Sequence, residues 1–278
     1  MVKAKHSGSF FILLAVLLWS FSGLIIKTVE ADAIWITLIR SLAGGAFLSP
    51  FIILGRVRPT KTLLLAGIIM AVFLLSITIT TQLSSAAMAI SMQYTAPMYV
   101  IGYSFFQNRR IDGKKLIVML LIFIGILFNI VDGVQNADPV VMWTGILIGL
   151  SFVLYSLCLQ KIQGSPLGVI SMINLVAAGF CLILLLLNYS PPPAALGDIM
   201  TLVLAGILIS GLSYAFYRTG LHRVKIERAL ILCLLEPILN PIIVYFGNGE
   251  IPGSWTIIGI LCILLGALMD IVQMREGS

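Results

Sequence analysis

The sequence predicts an all-α integral membrane fold: ten transmembrane helices arranged as two inverted five-helix repeats, with both termini cytoplasmic. Three observations carry that prediction: an apolar composition that no soluble core can use, a charge pattern that alternates from loop to loop, and an internal repeat with an odd number of spans. Of the 278 residues, 60% are hydrophobic and 10% are charged, and the mean hydropathy is +1.10. A single soluble core saturates well before it absorbs that much apolar side chain.

Crossing the hydrocarbon takes roughly 20 apolar residues, and charge clusters together with Pro, Gly and Asn breaks divide the chain into about ten such runs. They fall near 9–27, 33–54, 62–80, 84–106, 115–131, 139–160, 167–188, 199–217, 228–247 and 254–273. The first run, with MVKAKH before it and Ala31-Asp32-Ala33 after it, imitates a cleavable signal peptide. Its apolar stretch is longer than a usual signal core, and Lys27 and Glu30 crowd the junction, so it reads as a retained span. The connections between runs are short, which leaves no room for a soluble catalytic domain.

The net charge of +6 is distributed as a topology signal and not as a nucleic-acid footprint. Lys3 and Lys5; Arg56, Arg58 and Lys61; Arg109, Arg110, Lys114 and Lys115; Lys161; Arg218, Arg223, Lys225 and Arg228; and Arg275 all fall at alternate ends of the runs. Only Lys27 and Arg40 of the 17 basic residues lie elsewhere. The opposite connections carry Glu30, Asp32, Asp132, Asp138, Asp198 and Glu250. The four cysteines, Cys158, Cys181, Cys233 and Cys262, all lie inside predicted spans and read as small buried apolar groups without metal-ligand spacing or a disulfide.

TLLLAGI at 62–68 recurs as TLVLAGI at 201–207, 139 residues on. A shift of 140 carries Ala89 onto Ala229, Pro97 onto Pro237, Ile111 onto Ile251 and Gly113 onto Gly253. Upstream, a shift of 134 places Ser22 on Ser156, Lys27 on Lys161, Ile39 on Ile173, Ala43 on Ala177 and Gly45 on Gly179. The halves are therefore 1–133 and 134–278, with five runs each. An odd number of spans makes the second copy enter from the opposite side. Halves of one shape and opposite orientation can exchange conformations around a central site, which is the device of alternating-access carriers.

SSAAMAISMQYTAPMYVIGYSFF at 84–106 and ERALILCLLEPILNPIIVYFGNGEIPGSWTIIGILCILLGAL at 227–268 resemble the fourth, ninth and tenth helices of the drug/metabolite transporter superfamily, specifically its EamA-type members. Arg40 in LIRSLAGG is similar to that family's second-helix arginine, and Trp19 to its first-helix tryptophan. The resemblance covers essentially the whole chain. It departs after the fourth run, where many members have an acid and this sequence reads QNRR at 107–110, while the second-half counterpart, Glu250, is present. The resemblance implies ATP-independent movement of amino acids, other small metabolites or drugs, mostly outward.

LLEPILNPIIVYF at 234–246 puts a carboxylate and two prolines into an apolar run. Glu236 lies about 12 Å of helix rise into its span, where an ionised carboxylate needs a partner or a wet cavity. Asn240 shares its face one turn on, so the two could bind a protonated amine, or Glu236 could exchange a proton as a cavity opens. The structural alternative is a hydrogen bond that holds a kink made by Pro237 and Pro241. Both prolines free backbone carbonyls, which are tolerated where water or protein satisfies them. On the repeat partner, Gln93 and Tyr94 precede Pro97, and Gln93 is expected to face Glu236 across the cavity.

Trp19 and Ser22 on the first run, Tyr99 on the fourth, Tyr155 on the sixth and Tyr214 on the eighth are further substrate-binding candidates, because aromatic faces attract ammonium groups. Tyr103 and Tyr217 read as interface-belt residues. Arg40, about seven residues from the outer end of its run, reads as a gating or structural group in preference to a direct ligand for a substrate carboxylate. Its repeat counterpart, Asn174, keeps polarity without charge.

A secondary transporter exporting amino acids or related small metabolites fits best, with protons as the candidate coupling ion or no coupling at all. Efflux of hydrophobic or quaternary-ammonium drugs, and metabolite import, are the alternatives. A lipid-modifying membrane enzyme would need a cluster of His, Asp or Ser at one interface, whereas His6 and His222 are isolated and no hydrolase or nucleotide motif occurs. A scaffold would need neither the repeat nor a buried acid. The expected partners are a small-molecule substrate and the lipid bilayer, with no nucleic acid, cofactor or metal. The chain is expected to work as a monomer or dimer in a bacterial inner membrane, with small organellar or secretory-pathway carriers as the alternative source.

Overall fold

The computed structural model describes residues 2–108, 113–134, 139–224, 229 and 232–276. Among them every regular element is helical. Lys3, Lys5, His6, Arg109, Arg110, Ile111, Asp132, Asp138, Lys225, Arg228 and Arg275, which the charge pattern, repeat and motif reading used, have side chains outside those described, as does the whole QNRR stretch. Six stretches among the described residues are long and apolar enough to cross a membrane: Gly8–Thr28, Lys61–Leu83, Pro139–Lys161, Pro166–Leu187, Leu196–Leu221 and Ser254–Val272. Ala33–Leu48 is a shorter apolar helix.

Several predicted runs are interrupted. The first divides into α1 (Val2–Ser20) and α2 (Ser22–Thr28). The Ser20 hydroxyl donates back to the Val16 carbonyl at 2.8 Å, a bond that competes with the regular ladder just before the break. The second divides into α3 (Ala33–Leu48), N-capped by the Asp32 side chain, and α4 (Pro50–Leu54), where Pro50 ends the regular ladder. The third is continuous as α5 (Lys61–Leu83), with Thr60 as its cap.

The fourth run divides into α6 (Ala86–Gln93) and α7 (Ala96–Asn108), because Pro97 has no amide hydrogen for the Gln93 carbonyl. Tyr94 and Thr95 turn between them on tight bonds to Ser91 and Met92. Then follow α8 (Gly113–Val134), α9 (Pro139–Lys161) and α10 (Pro166–Leu187), the last capped by Ser165. The eighth run is α11 (Leu196–Ala205), a π-helical stretch (Gly206–Leu212) and α12 (Ser213–Leu221). The ninth is broken as the fourth is: residues 229, 232 and 233 are helical, Leu234 and Leu235 turn, and α13 (Glu236–Asn248) follows. Gly249, with φ of 73°, supplies the left-handed residue that ends α13. The tenth is α14 (Ser254–Glu276).

The helices bury Ser, Thr, Gly and Ala beside Ile, Leu and Met, and they also leave large apolar side chains facing outward, as in Phe10, Trp143, Leu186 and Phe246. An outer surface that apolar follows from lipid being as apolar as leucine, so that close backbone packing becomes a source of association. That packing is plainest where α3 meets the π-helical stretch. A Cβ on Gly44 would lie 2.5 Å from the Gly206 carbonyl oxygen, so only glycine lets these backbones touch.

Candidate functional site

Glu236 is the first residue of α13, and its side chain is 3% exposed. Two breaks bring its partners to it, since α6 ends at Gln93 as α13 begins at Glu236. Gln93 Nε2 donates to Glu236 Oε2 at 3.3 Å, and the Tyr94 hydroxyl lies 3.0 Å from the same oxygen. That hydroxyl also lies 2.5 Å from the Cys233 carbonyl, one of the acceptors freed by the turn before α13. The carboxylate thus sits at the positive end of a helix dipole among neutral hydrogen-bond donors, and Gln93 meets Glu236 directly.

Glu236 and Gln93 line a buried cavity with Trp19, Ser22, Arg40 and Tyr214. Leu74, Ile77, Ile90, Phe152 and Ile209 complete its wall. Arg40 is 3% exposed, and its buried Nε has no hydrogen-bond partner. The cavity therefore holds one carboxylate and one guanidinium, with apolar walls between. The Trp19 ring packs on Tyr214 at 4.9 Å and on Tyr217 at 5.1 Å, while Tyr155 meets Tyr214 edge-on at 6.2 Å. The open space is ≈ 20 Å³, room for about one water, against roughly 300–1,000 Å³ in a typical ligand pocket.

The remaining candidates are not in the wall of this cavity. Asn240 donates to the Ser20 carbonyl at 3.1 Å, joining α13 to the break between α1 and α2, and its own buried oxygen has no partner. Tyr155 forms a second layer behind Tyr214, with a buried hydroxyl that has no partner. Tyr99 does not line the cavity: its hydroxyl bonds the Ile146 carbonyl at 3.0 Å and so ties α7 to α9. Tyr217, expected in the interface belt, turns inward onto Trp19, whereas Tyr103 is exposed. Pro97 and Pro237 sit at the two breaks, and Pro241 lies inside α13. Asn174 donates to the Ser210 carbonyl at 2.9 Å and so supports the π-helical stretch.

Sequence reasoning missed that stretch, which brings Ile209 to the cavity, and no proline marks it. It also left Lys27 unexplained. Lys27 pairs with Glu250 at 2.9 Å and donates to the Ser84 carbonyl at 2.9 Å, while Glu250 accepts from the Ala86 amide at 3.0 Å. Three chain segments are therefore tied at the end of the molecule that the charge pattern predicts to face outward.

Known proteins share this architecture. An uncharacterized transporter from Archaeoglobus fulgidus is 26% identical over 268 residues, covering 96% of this chain and 97% of its own length. A solved crystal structure, described only as that of a protein, superposes with a TM-score of 0.66 over 97% of each chain at 17% identity, which shows a shared fold. The model of the EamA-like transporter family matches twice, over residues 6–131 and again over 138–271. The two matches meet where the internal repeat divides the sequence, and the chain belongs to the EamA-like transporter family: it is a multi-pass membrane transporter and not an enzyme.

Proposed function

We propose that this transporter exports amino acids or closely related zwitterionic metabolites, by alternating access of two inverted five-helix halves around the cavity of Glu236 and Arg40. The observation that carries the reading is that Glu236 and Arg40 line one buried cavity, while among the described residues no ion pair joins them and the Arg40 Nε is left without a hydrogen-bond partner. An α-ammonium group matches Glu236 with Gln93, an α-carboxylate matches the free Arg40 Nε, and the side chain would lie against the Trp19 and Tyr214 rings. A space of ≈ 20 Å³ holds no amino acid, so on this reading the structure is a closed state and the halves part to admit substrate.

The packing supports two equivalent halves. Contacts between α5 and α9 match those between α1 and α12 under the repeat, and contacts between α3 and the π-helical stretch match those between α10 and α5. α13 meets α1 and α2 as α6 and α7 meet α9. The aromatic cluster favours a second reading, efflux of quaternary amines, but Arg40 in the same cavity would repel a ligand that is only cationic. A plasma-membrane location goes with either reading, and the archaeal relative widens the candidate sources beyond bacteria.

The test is uptake of labelled amino acids and quaternary amines into proteoliposomes, with and without a pH gradient. Wild type, Glu236→Gln and Arg40→Gln are compared after checking that each variant stays monodisperse. Both variants are expected to lose amino-acid transport by roughly thirtyfold or more, because leaving one buried charge of a recognised pair unmatched costs about 2–5 kcal/mol. Amine transport that survives or improves in Arg40→Gln, with no amino-acid transport by wild type, would replace this reading with the second.

A further inference from the structure

At the end of the molecule predicted to be cytoplasmic, the α4–α5 connection and the α9–α10 connection enclose a second cavity, of ≈ 460 Å³. Arg56, Arg58 and Lys161 line it together with Thr60 and Thr62, and among the described residues no carboxylate does. Thr60 caps the N-terminus of α5, and Ser165 caps that of α10 just beyond the lining residue Gly164, while α4 and α9 end at the same connections with the opposite dipole, so the positive potential comes from the three cations. Helix α9, which ends here, carries Lys161 in its last turn. Behind the wall, buried Arg218 donates to the carbonyl of the lining residue Ile162 at 2.8 Å, and its Nε and Nη1 have no hydrogen-bond partner.

Arg56 is held there against a backbone preference. The Val57 amide bonds the Ile52 carbonyl and the Arg56 amide bonds the Ile53 carbonyl, the double closure in which the residue after the helix cap adopts a left-handed conformation. Glycine is the usual occupant of that position, yet here it is an arginine with φ of 47°. Val57 is buried against the neighbouring connection, where a Cβ on Gly164 would lie 3.2 Å from its side chain, so the loop is fixed in place. Beside the cations, Ile53 and Leu54 are 82% and 75% exposed and continue the apolar outer surface.

We propose that this cavity binds the phosphate headgroup of an anionic phospholipid, whose acyl chains lie along Ile53 and Leu54. Phosphate chemistry suits a cluster of guanidinium and ammonium groups, and the adjoining apolar surface selects a lipid over a free anion. The site is separate from the transport cavity.

The test uses the full-length protein, purified and returned to nanodiscs of phosphatidylcholine alone or with phosphatidylglycerol, with lipid retention read by native mass spectrometry and stability by thermal unfolding. Wild type is expected to retain phosphatidylglycerol selectively and to unfold at a higher temperature with it. Arg56→Gly places the favoured residue in the left-handed position, so it should fold at least as well as wild type yet bind the anionic lipid about fivefold more weakly. Lys161→Gln should weaken it to a similar degree. Equal retention of both lipids by wild type, or a lipid preference unchanged in Arg56→Gly and Lys161→Gln, would overturn the proposal and leave the cations as topology signals alone. Equal protection by inorganic phosphate in detergent would also overturn it, by making the ligand a soluble anion.

Discussion

Tyr94 has one hydroxyl proton and two acceptors, the Cys233 carbonyl at 2.5 Å and Glu236 Oε2 at 3.0 Å. A protonated Glu236 satisfies both, since it donates to Tyr94 while Tyr94 donates to Cys233. An ionised Glu236 draws the hydroxyl proton to itself and leaves the carbonyl before α13 to another donor. The proton on Glu236 would therefore be felt at the helix break, a route by which a proton gradient could drive opening. On this argument Tyr94→Phe keeps a measurable transport rate but loses most of its response to an imposed pH gradient. Transport by Tyr94→Phe that responds to the gradient as wild type does would remove Tyr94 from the coupling route. Glu236 and Gln93 stood out in the sequence because a polar group within a turn of proline in an apolar run is costly in lipid and must be met by protein or water. The differing placements of Tyr99 and Tyr217 did not, because a tyrosine in a span has the same local signature whether it faces lipid, cavity or a neighbouring helix.

Among the elements, the breaks at Thr95 and Leu235 follow from Pro97 and Pro237, whose missing amides are visible in the sequence. The break at Phe21 and the π-helical stretch at 206–212 have no such mark. They persist because neighbouring helices satisfy the displaced carbonyls: Asn240 reaches Ser20, and Asn174 reaches Ser210. The π-helical stretch also depends on the bare backbone contact between Gly44 and Gly206. Gly44→Val should therefore destabilise the purified protein by about 1–3 kcal/mol through overpacking, read as a lower unfolding temperature in detergent. A conservative change at an open glycine such as Gly179, where a new Cβ meets nothing within 4 Å, should leave that temperature nearly unchanged. Equal effects at the two sites would mean that the close approach is not what holds α3 to its neighbour.

Across the whole molecule, the two ends differ. The end predicted to face outward is tied by Lys27, Glu250, Ser84 and Ala86, while the opposite end, around Lys161, presents a basic cavity whose described lining holds no carboxylate. The sequence has Glu250 in one half and QNRR at the corresponding place in the other, where the side chains lie outside those described. Lys27 and Glu250 are each 17% exposed, so their pair is worth about 0–1 kcal/mol after screening. Glu250→Gln should raise the labelling rate of an introduced Ser85→Cys by up to about fivefold if the clasp biases that end toward closure. An unchanged rate would assign closure to the packing of α2, α6 and α13 instead.

By itself the sequence determined that this chain is an apolar, multi-pass, internally repeated protein, because hydropathy and repeat spacing are properties of the chain in order; its likeness to the EamA type came from the motifs at 84–106 and 227–268. It also marked Glu236 and the prolines, since a charge or a missing amide in hydrocarbon is costly wherever the helix packs. Only the tertiary structure decided which polar groups come together: Arg40 and Glu236 lining one cavity, Gln93 and Tyr94 on Glu236, Lys27 with Glu250 at one end, and Arg56 held left-handed over a basic cavity at the other. Those pairings join residues far apart in the chain, and the distances between them are set by how helices cross, on which local sequence has no hold.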